Sequence, residues 1–156
     1  MKVQDYLAKH TSIMGKTLAN FVLTTDQSKL DWLPGIEGSQ GVRSIHDQLK
    51  ECIVVNNAFV KRLQGIPTPP PMELVGDVHF ASPEDARNQL IASAEALASV
   101  IIGLDDDQIV AEVDSPRGKM SAADACMLPI RNMAYHSGQV NLFQMLLGDA
   151  EFHLPA

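Results

Sequence analysis

The sequence predicts an all-α protein, a four-helix bundle with long connectors. Four stretches of about twenty residues carry apolar side chains at intervals of three and four, the spacing that places them on one face of a helix. Three of these stretches follow a serine positioned to cap a helix N-terminus, and strand signal is weak throughout. Four amphipathic helices bury their apolar faces against one another and leave room for polar chemistry between facing helices.

The first predicted helix covers residues 3–24. Its apolar face recurs at intervals of three, four or seven and consists of Leu7, Met14, Leu18, Phe21 and Val22. The segment that follows, from Thr25 to Gly41, is rich in Pro and Gly and is predicted to be a connector.

The second predicted helix begins after Ser44. Ser44 and Asp47 have the spacing of a capping box, in which a hydroxyl caps the first amides and a carboxylate follows three residues later. Its apolar stripe contains Ile45, Leu49, Cys52, Phe59 and Leu63 and ends at Gly65. Four prolines between Gly65 and Ala81 predict a connector without a helix.

The third predicted helix has the clearest start, because Ser82 supplies a cap, the next residue is a proline and Asp85 places an acid beside the positive helix end. Its stripe contains Leu90, Ile91, Ala94, Leu97, Ala98 and Ile101. In the connector that follows, residues 104–119, the acidic run 105–107 predicts a solvated helix end. The alternating pattern of Ile109, Val110 and Val113 is compatible with a short strand, and the pattern alone leaves that assignment open.

The last predicted helix follows a second capping box formed by Ser121 and Asp124 and stops at Gly148. Its apolar stripe contains Leu128, Tyr135, Phe143 and Leu146. Pro129 removes an amide donor within this stretch and predicts a kink or a fresh start one turn before Asn132.

Length and composition predict one compact domain over residues 1–156. Apolar residues make up 46 % of the chain, an ordinary globular proportion, and the net charge of −7 repels phosphate, which argues against nucleic acid or anionic membranes as partners. The N-terminus lacks the apolar core of a signal peptide, so we expect a soluble, cytoplasmic protein. Cys52 and Cys126 have neither metal-site nor disulfide spacing and are expected to be core thiols.

Polar residues lie on the apolar face of the last predicted helix. Asn132, His136, Gln139 and Phe143 follow one another at steps of four, three and four, so they share that face and point toward the protein interior. A histidine with a second ligand one turn away is the usual helical metal pair, which a ligand from a facing helix completes. The alternative is a buried histidine that only hydrogen-bonds to Asn132 or to a carbonyl group.

Three short motifs resemble those of the DinB/YfiT-like superfamily. Residues 135–141 (Tyr-His-Ser-Gly-Gln-Val-Asn) with 146–148 (Leu-Leu-Gly) look like its last-helix signature, which is a histidine, three residues, and a second histidine followed by x-Gly-Gln. Residues 31–34 (Asp-Trp-Leu-Pro) resemble its Trp-x-Pro connector. Residues 43–51 contain a start similar to its Ser-Ile-x-Glu motif, so the similarity spans nearly the whole chain.

The resemblance implies a four-helix bundle, commonly a homodimer, in which three histidines hold a divalent metal. One ligand lies seven residues after the capping serine of the second helix and two lie four apart on the last helix. The matching positions here are Glu51, Asn132 and His136, so two of the three histidines are replaced. His46 lies two residues after Ser44 and is predicted at the surface.

The remaining histidines are His10, His79 and His153. No spacing connects them with His136, and they are predicted to be solvated.

Two interpretations of this trio remain open. In one, Glu51, Asn132 and His136 hold zinc, nickel or manganese, with the neutral amide as the weakest ligand. In the other, no metal is bound: Glu51 accepts a hydrogen bond from a protonated His136, Asn132 bridges, and Gln139 and Tyr135 line the cleft. A carboxylate beside a buried imidazole raises the histidine pKa in such a pair.

These interpretations correspond to two functions. Without a metal, the protein is a non-catalytic or small-molecule-binding protein, or a dimerisation module, that keeps the fold and has lost the metal. The alternative is an enzyme similar to the divalent-metal-dependent thiol S-transferases that the resemblance implies, in which the metal lowers the pKa of a small thiol. His136 is central to both, with Glu51 and Asn132 as replaced ligands or as groups that orient a substrate.

Overall fold

A computed structural model describes residues 1–35 and 41–154. Within these residues the protein is mostly helical, which confirms the predicted all-α class, and contains one two-stranded antiparallel sheet. The α-helices are α1 (Val3–Thr24), α2 (Ile45–Leu63), α3 (Pro83–Ile102), α4 (Asp106–Val110) and α5 (Ala122–Leu146). The strands are β1 (Glu112–Ser115) and β2 (Gly118–Ser121), and short 3-10 helices cover Gln27–Lys29 and Pro71–Asp77.

Two of the predicted segments extend beyond this described part of the chain. Residues 36–40 belong to the predicted connector between Thr25 and Gly41, and residues 155–156 end the predicted domain. Both lie outside the described residues.

The predicted serine caps are confirmed. The hydroxyl oxygens of Ser44, Ser82 and Ser121 each accept a hydrogen bond at 3.1 Å from the amide three residues later, in Asp47, Asp85 and Asp124. At Ser44 and Ser121 the hydroxyl also donates to the carboxylate of the same aspartate, at 3.0 and 2.7 Å. The carboxylate therefore binds the cap side chain rather than the cap amide, and the predicted boxes are only half formed.

The last helix runs unbroken through Pro129. The fresh start predicted before Asn132 is wrong, because α5 is one helix of 25 residues with buried side chains on both sides of the proline. Packing on both sides holds the helix despite the single lost amide donor. The predicted stop is confirmed: the amide of Asp149 donates to the carbonyl of Gln144 at 2.9 Å, and Gly148 lies between them with a φ of 94°.

The connectors contain more structure than their composition predicts. The proline-rich connector, predicted without a helix, holds the 3-10 helix Pro71–Asp77; Pro71 is its first residue, where a missing amide donor costs nothing. The acidic run is a helix start rather than an end, because Asp105 caps α4 by accepting from the amides of Asp107 and Gln108.

The sequence left open whether residues 109–113 form a short strand, and the structure divides them between a helix and a strand. Ile109 and Val110 lie in α4, while Val113 lies in β1 and pairs with Met120 of β2.

The four long helices pack in a closed set of pairs: α1 and α2 each contact both α3 and α5. Two groups of buried apolar side chains fill the space between them, one containing Leu18, Leu49, Leu90 and Phe143, the other containing Phe59, Leu97, Ile101 and Cys126. Helices α1 and α3 approach each other closely at Gly15, where an added Cβ would lie 2.5 Å from the Cβ of Ala94. None of the described helices is long and apolar enough to cross a bilayer.

Candidate functional site

The three residues predicted as replaced metal ligands lie together where α2 faces α5. The Oε1 atom of Glu51 accepts a hydrogen bond from Nδ2 of Asn132 at 2.9 Å and lies 3.4 Å from Nε2 of His136. His136 is fully buried, and the Glu51 side chain is only 13 % exposed. One carboxylate, one amide and one imidazole from two helices therefore share a single buried spot.

Arg43 completes this spot and was not predicted. Its Nη1 atom forms an ion pair with Oε2 of Glu51, so both carboxylate oxygens have a partner. Arg43 precedes the cap of α2 and lies eight residues before Glu51, whereas charge pairs on one helix are expected three or four residues apart. The sequence spacing therefore gives no signal for this pair.

The other ring nitrogen of His136 contacts two glutamines. Its Nδ1 atom lies 2.8 Å from Oε1 of Gln139 and 3.1 Å from Oε1 of Gln48. Because both neighbours are acceptors, this network assigns the proton to Nδ1 and leaves the lone pair of the neutral ring on Nε2. Gln139 was predicted near the site, whereas Gln48 was missed although it lies three residues before Glu51 on the same face of α2.

His136 is neutral at pH 7. The pKa of His136 is lowered to about 4: burial is the largest cause, the hydrogen bond to Gln139 opposes the shift, and the positive charge of Arg43 adds to it. The protonated His136 predicted for a metal-free cluster is therefore wrong. Arg43, and not a protonated imidazole, supplies the positive charge beside Glu51. The desolvation of the imidazole is therefore the dominant effect on the pKa of His136.

Two buried acceptors at this spot lack a hydrogen-bond donor. Nε2 of His136 and Oδ1 of Asn132 form no hydrogen bond with any described residue, and both residues meet the same oxygen of Glu51. Unpartnered buried acceptors are rare and normally accept from water or bind a cation.

The donor set fits a transition metal only incompletely. Among residues 1–35 and 41–154, no three His, Cys, Asp or Glu side chains form a group that could hold a metal ion. The third donor would be the neutral amide of Asn132, and Arg43 already compensates the charge of Glu51.

Two cavities border the site. One has a volume of about 460 Å³ and is lined by Arg43, Gln48, Gln139 and Tyr135 together with apolar side chains of α5. The other has a volume of about 740 Å³ and is lined in part by Asn132 and again by Tyr135. Tyr135, predicted to line a pocket, is 63 % exposed and borders both cavities.

The other histidines contact groups away from His136. Nδ1 of His46 lies 2.9 Å from Oδ1 of Asp31, and Nε2 of His153 lies 2.8 Å from Oδ2 of Asp149. The surface position predicted for His46 is wrong, because its side chain is only 17 % exposed and packs against the ring of Phe80.

Of the remaining two, His79 is exposed, as predicted. The solvated positions predicted for His10 and His153 are wrong: His10 is partly buried beside the ring of Tyr6, and the side chain of His153 is 16 % exposed.

Both cysteines are core thiols, as predicted. Cys52 and Cys126 are fully buried, and burial raises the pKa of both, that of Cys126 to about 12. A thiol with so high a pKa forms almost no thiolate at pH 7, so neither is suited to act as a nucleophile.

Comparison with known proteins does not assign the site. No protein-family model matches the sequence, and no curated protein is significantly similar to it. The resemblance to the DinB/YfiT-like superfamily stays a prediction from the motifs.

Proposed function

We propose that this chain is a DinB-like four-helix bundle that binds a small polar molecule beside the Glu51, Asn132 and His136 cluster, without a resident transition metal. The observation that carries the proposal is the ion pair between Arg43 and Glu51. A cation-binding carboxylate needs its charge free for the metal, whereas this one is already neutralised by a guanidinium that cannot lose its proton.

The cavity of about 460 Å³ is the proposed binding site. Gln48 and Gln139 both present their amide oxygens to His136, which leaves their NH2 groups as donors. The NH2 group of Gln48 binds the carbonyl of Arg43 at 3.0 Å, while that of Gln139 makes no hydrogen bond to a described residue. Arg43 is 38 % exposed at the cavity wall. These donors favour a ligand with acceptor oxygens, and His136 acts as a positioning residue for both glutamines.

The proposal includes a cytoplasmic homodimer. Two free, buried cysteines support a reducing compartment. The family resemblance supports a dimer, and α5 exposes apolar side chains at Tyr135, Leu142, Met145 and Leu146. All of these except Met145 also line the cavity of about 460 Å³, so a second copy that covers them would border the proposed binding site.

A metal-dependent thiol S-transferase is the second candidate, favoured by the two unpartnered acceptors. Glu51, Asn132 and His136 are the residues that would hold the ion. When bound, a divalent metal lowers the pKa of a small thiol and makes it a nucleophile at neutral pH.

Metal analysis distinguishes the two candidates. The protein is purified without chelator, incubated with zinc, nickel and manganese, desalted and analysed for metal content. The proposal expects far less than one metal ion per chain, and a content close to one that is lost in Glu51→Gln would support the enzyme instead.

A variant of Arg43 tests whether the ion pair with Glu51 is what prevents metal binding. Arg43→Gln frees the Glu51 carboxylate, so we expect it to take up more metal than the parent protein. The control Lys61→Gln removes an exposed positive charge from α2, away from Glu51 in the sequence, and should behave like the parent. Equal metal uptake by the two variants would show that the ion pair does not govern metal binding.

Ligand binding is tested separately by NMR, with acetamide, N-acetylglycine and glycerol as probes. We expect at least one to shift the side-chain amide NMR signals of Gln48 and Gln139 in the parent protein, and Gln139→Leu to weaken its binding. Gln64→Leu changes an exposed glutamine at the end of α2 and serves as the control. Absence of any shift at these two glutamines would remove the proposed ligand site.

A further inference from the structure

We propose that the cavity of about 740 Å³ binds a small organic anion, with a carboxylate or phosphate head group and an apolar body. This cavity is separate from the one proposed above and has the size of a typical small-molecule site. The inference does not depend on whether the neighbouring cluster holds a metal.

The charge of the cavity wall is the first argument. Among the described residues that line it, the charged side chains are Arg117 and Arg131, in a chain with 19 acidic and 12 basic residues. Both arginines are exposed, and neither forms an ion pair within residues 1–35 and 41–154. Some other cations form ion pairs, as Lys2 does with Asp106 and Lys16 with Glu95, and some, such as Lys9, form none among the described residues; what distinguishes the two arginines is that they share one cavity. Two uncompensated guanidinium groups at one cavity attract an anion.

The position of Arg117 is fixed by a tight turn. Arg117 lies in the two-residue connection between β1 and β2. The hydroxyl of Ser115 accepts a hydrogen bond from the Arg117 amide at 3.0 Å and donates to the Gly118 carbonyl at 2.7 Å. The hairpin therefore holds the backbone of Arg117 in place at the cavity wall.

The second guanidinium comes from a different element. Arg131 lies on α5, next to Asn132, so the two arginines reach the cavity from separate parts of the fold. Guanidinium groups bind carboxylate and phosphate oxygens in pairs of parallel hydrogen bonds. A pair of them arriving from two elements selects an anionic head group.

Apart from Asn132 and Tyr135, the remaining wall is apolar and selects the body of the ligand. Val55 and Phe59 of α2, Leu128 of α5 and Pro71 line the cavity, with Phe59 and Pro71 buried. Burial of apolar ligand area against these side chains adds affinity that inorganic phosphate alone would not gain. The net charge of −7 disfavours a polyanion, so the ligand is a small molecule rather than a nucleic acid.

Octanoate and octyl phosphate are the probes, and 1-octanol is the neutral control; binding to the full chain is measured by isothermal titration calorimetry. We expect at least one anion to bind more tightly than 1-octanol, and Arg117→Gln with Arg131→Gln to weaken it by about tenfold or more. The control pair Lys9→Gln with Lys119→Gln removes the same charge from exposed residues that do not line this cavity and should retain the affinity of the parent protein. Tight binding of only one of the two anions identifies the head group.

Three outcomes would overturn the inference: no binding of either anion, equal affinity for anions and 1-octanol, or equal weakening in the two double variants. The arginine variants leave Arg43, Glu51 and Gln139 unchanged. Failure of this experiment is therefore distinguishable from failure of the proposed function, which is tested by metal content and by the glutamine signals.

Discussion

At the scale of single residues, His136 has a charge state that depends on its neighbours rather than on its own chemistry. An exposed histidine beside a carboxylate gains positive charge, but here Arg43 already compensates Glu51. The imidazole is left with the cost of burial and stays neutral, holding Gln48 and Gln139 through Nδ1. His136 is therefore a structural and positioning group in this site.

The pH dependence of stability follows from this lowered pKa. The pKa of His136 is about 4 in the folded protein and near 6.5 in the unfolded chain, so the unfolded state binds the extra proton between these values. The free energy of unfolding should therefore fall as pH drops from 6.5 to 4, by up to about 3 kcal/mol, as measured by urea denaturation.

Replacement of His136 provides the check. His136→Ala should cost about 1 to 3 kcal/mol at pH 7, because it strands the two glutamines, and it should lose less further stability on acidification than the parent protein. His79→Ala, at an exposed position, should keep the parent's pH dependence. A parallel loss of stability in all three proteins would mean that His136 does not cause the effect.

At the scale of secondary-structure elements, the pairing of α1 with α3 depends on one glycine. Gly15 is buried in α1, and an added methyl group would lie 2.5 Å from the Cβ of Ala94 in α3. Two carbon atoms cannot approach so closely, so any larger residue has to push the helices apart. The intrinsic preference of helices for alanine over glycine is outweighed here by this contact.

Gly15→Ala should therefore destabilise the protein by about 1 to 3 kcal/mol in chemical denaturation. Adding Ala94→Gly removes the clashing atom and should restore part of the loss. The matched control is Gly138→Ala on α5, where an added Cβ meets nothing within 4 Å and helix propensity should add about 0.5 to 1 kcal/mol. A stabilising Gly15→Ala would contradict the close approach of the two helices.

At the scale of the whole molecule, each of the two cysteines reports on a different part of the core. Cys52 lies in the group of buried side chains around Leu49, and Cys126 lies in the group around Phe59. Both thiols are fully buried and have raised pKa values, so a thiol reagent reaches them only when the surrounding structure opens.

The prediction of a single domain over residues 1–156 can be tested with these thiols. If the whole core opens as one unit, Cys52→Ala and Cys126→Ala should each expose the remaining thiol to Ellman's reagent with an opening free energy equal to the free energy of global unfolding of the same variant. Rapid labelling of either thiol in the native protein, or an opening free energy clearly below that of global unfolding of the same variant, would contradict a single cooperative domain.

The helices were predictable because their signals are local. Ser44, Ser82 and Ser121 bind amides three residues away, and the apolar spacing that assigns a helix spans only a few turns. The connectors were less predictable, because a few residues such as 109–113 fit a helix or a strand until the rest of the fold packs against them. The continuity of α5 through Pro129 likewise depends on packing and not on the proline alone.

The sequence by itself predicted many of the side chains that face the interior, although Tyr135 and Leu146 of the predicted stripe are exposed, and the spacing of the motifs that resemble the DinB/YfiT-like superfamily predicted that Glu51, Asn132 and His136 lie together. Only the tertiary structure decided how that site is charged: it added Arg43 and Gln48, kept His136 neutral and placed Arg117 beside a cavity of α5. Periodicity and capping depend on residues within a few positions, whereas a charge pair or a pKa depends on burial and on groups that only folding brings together.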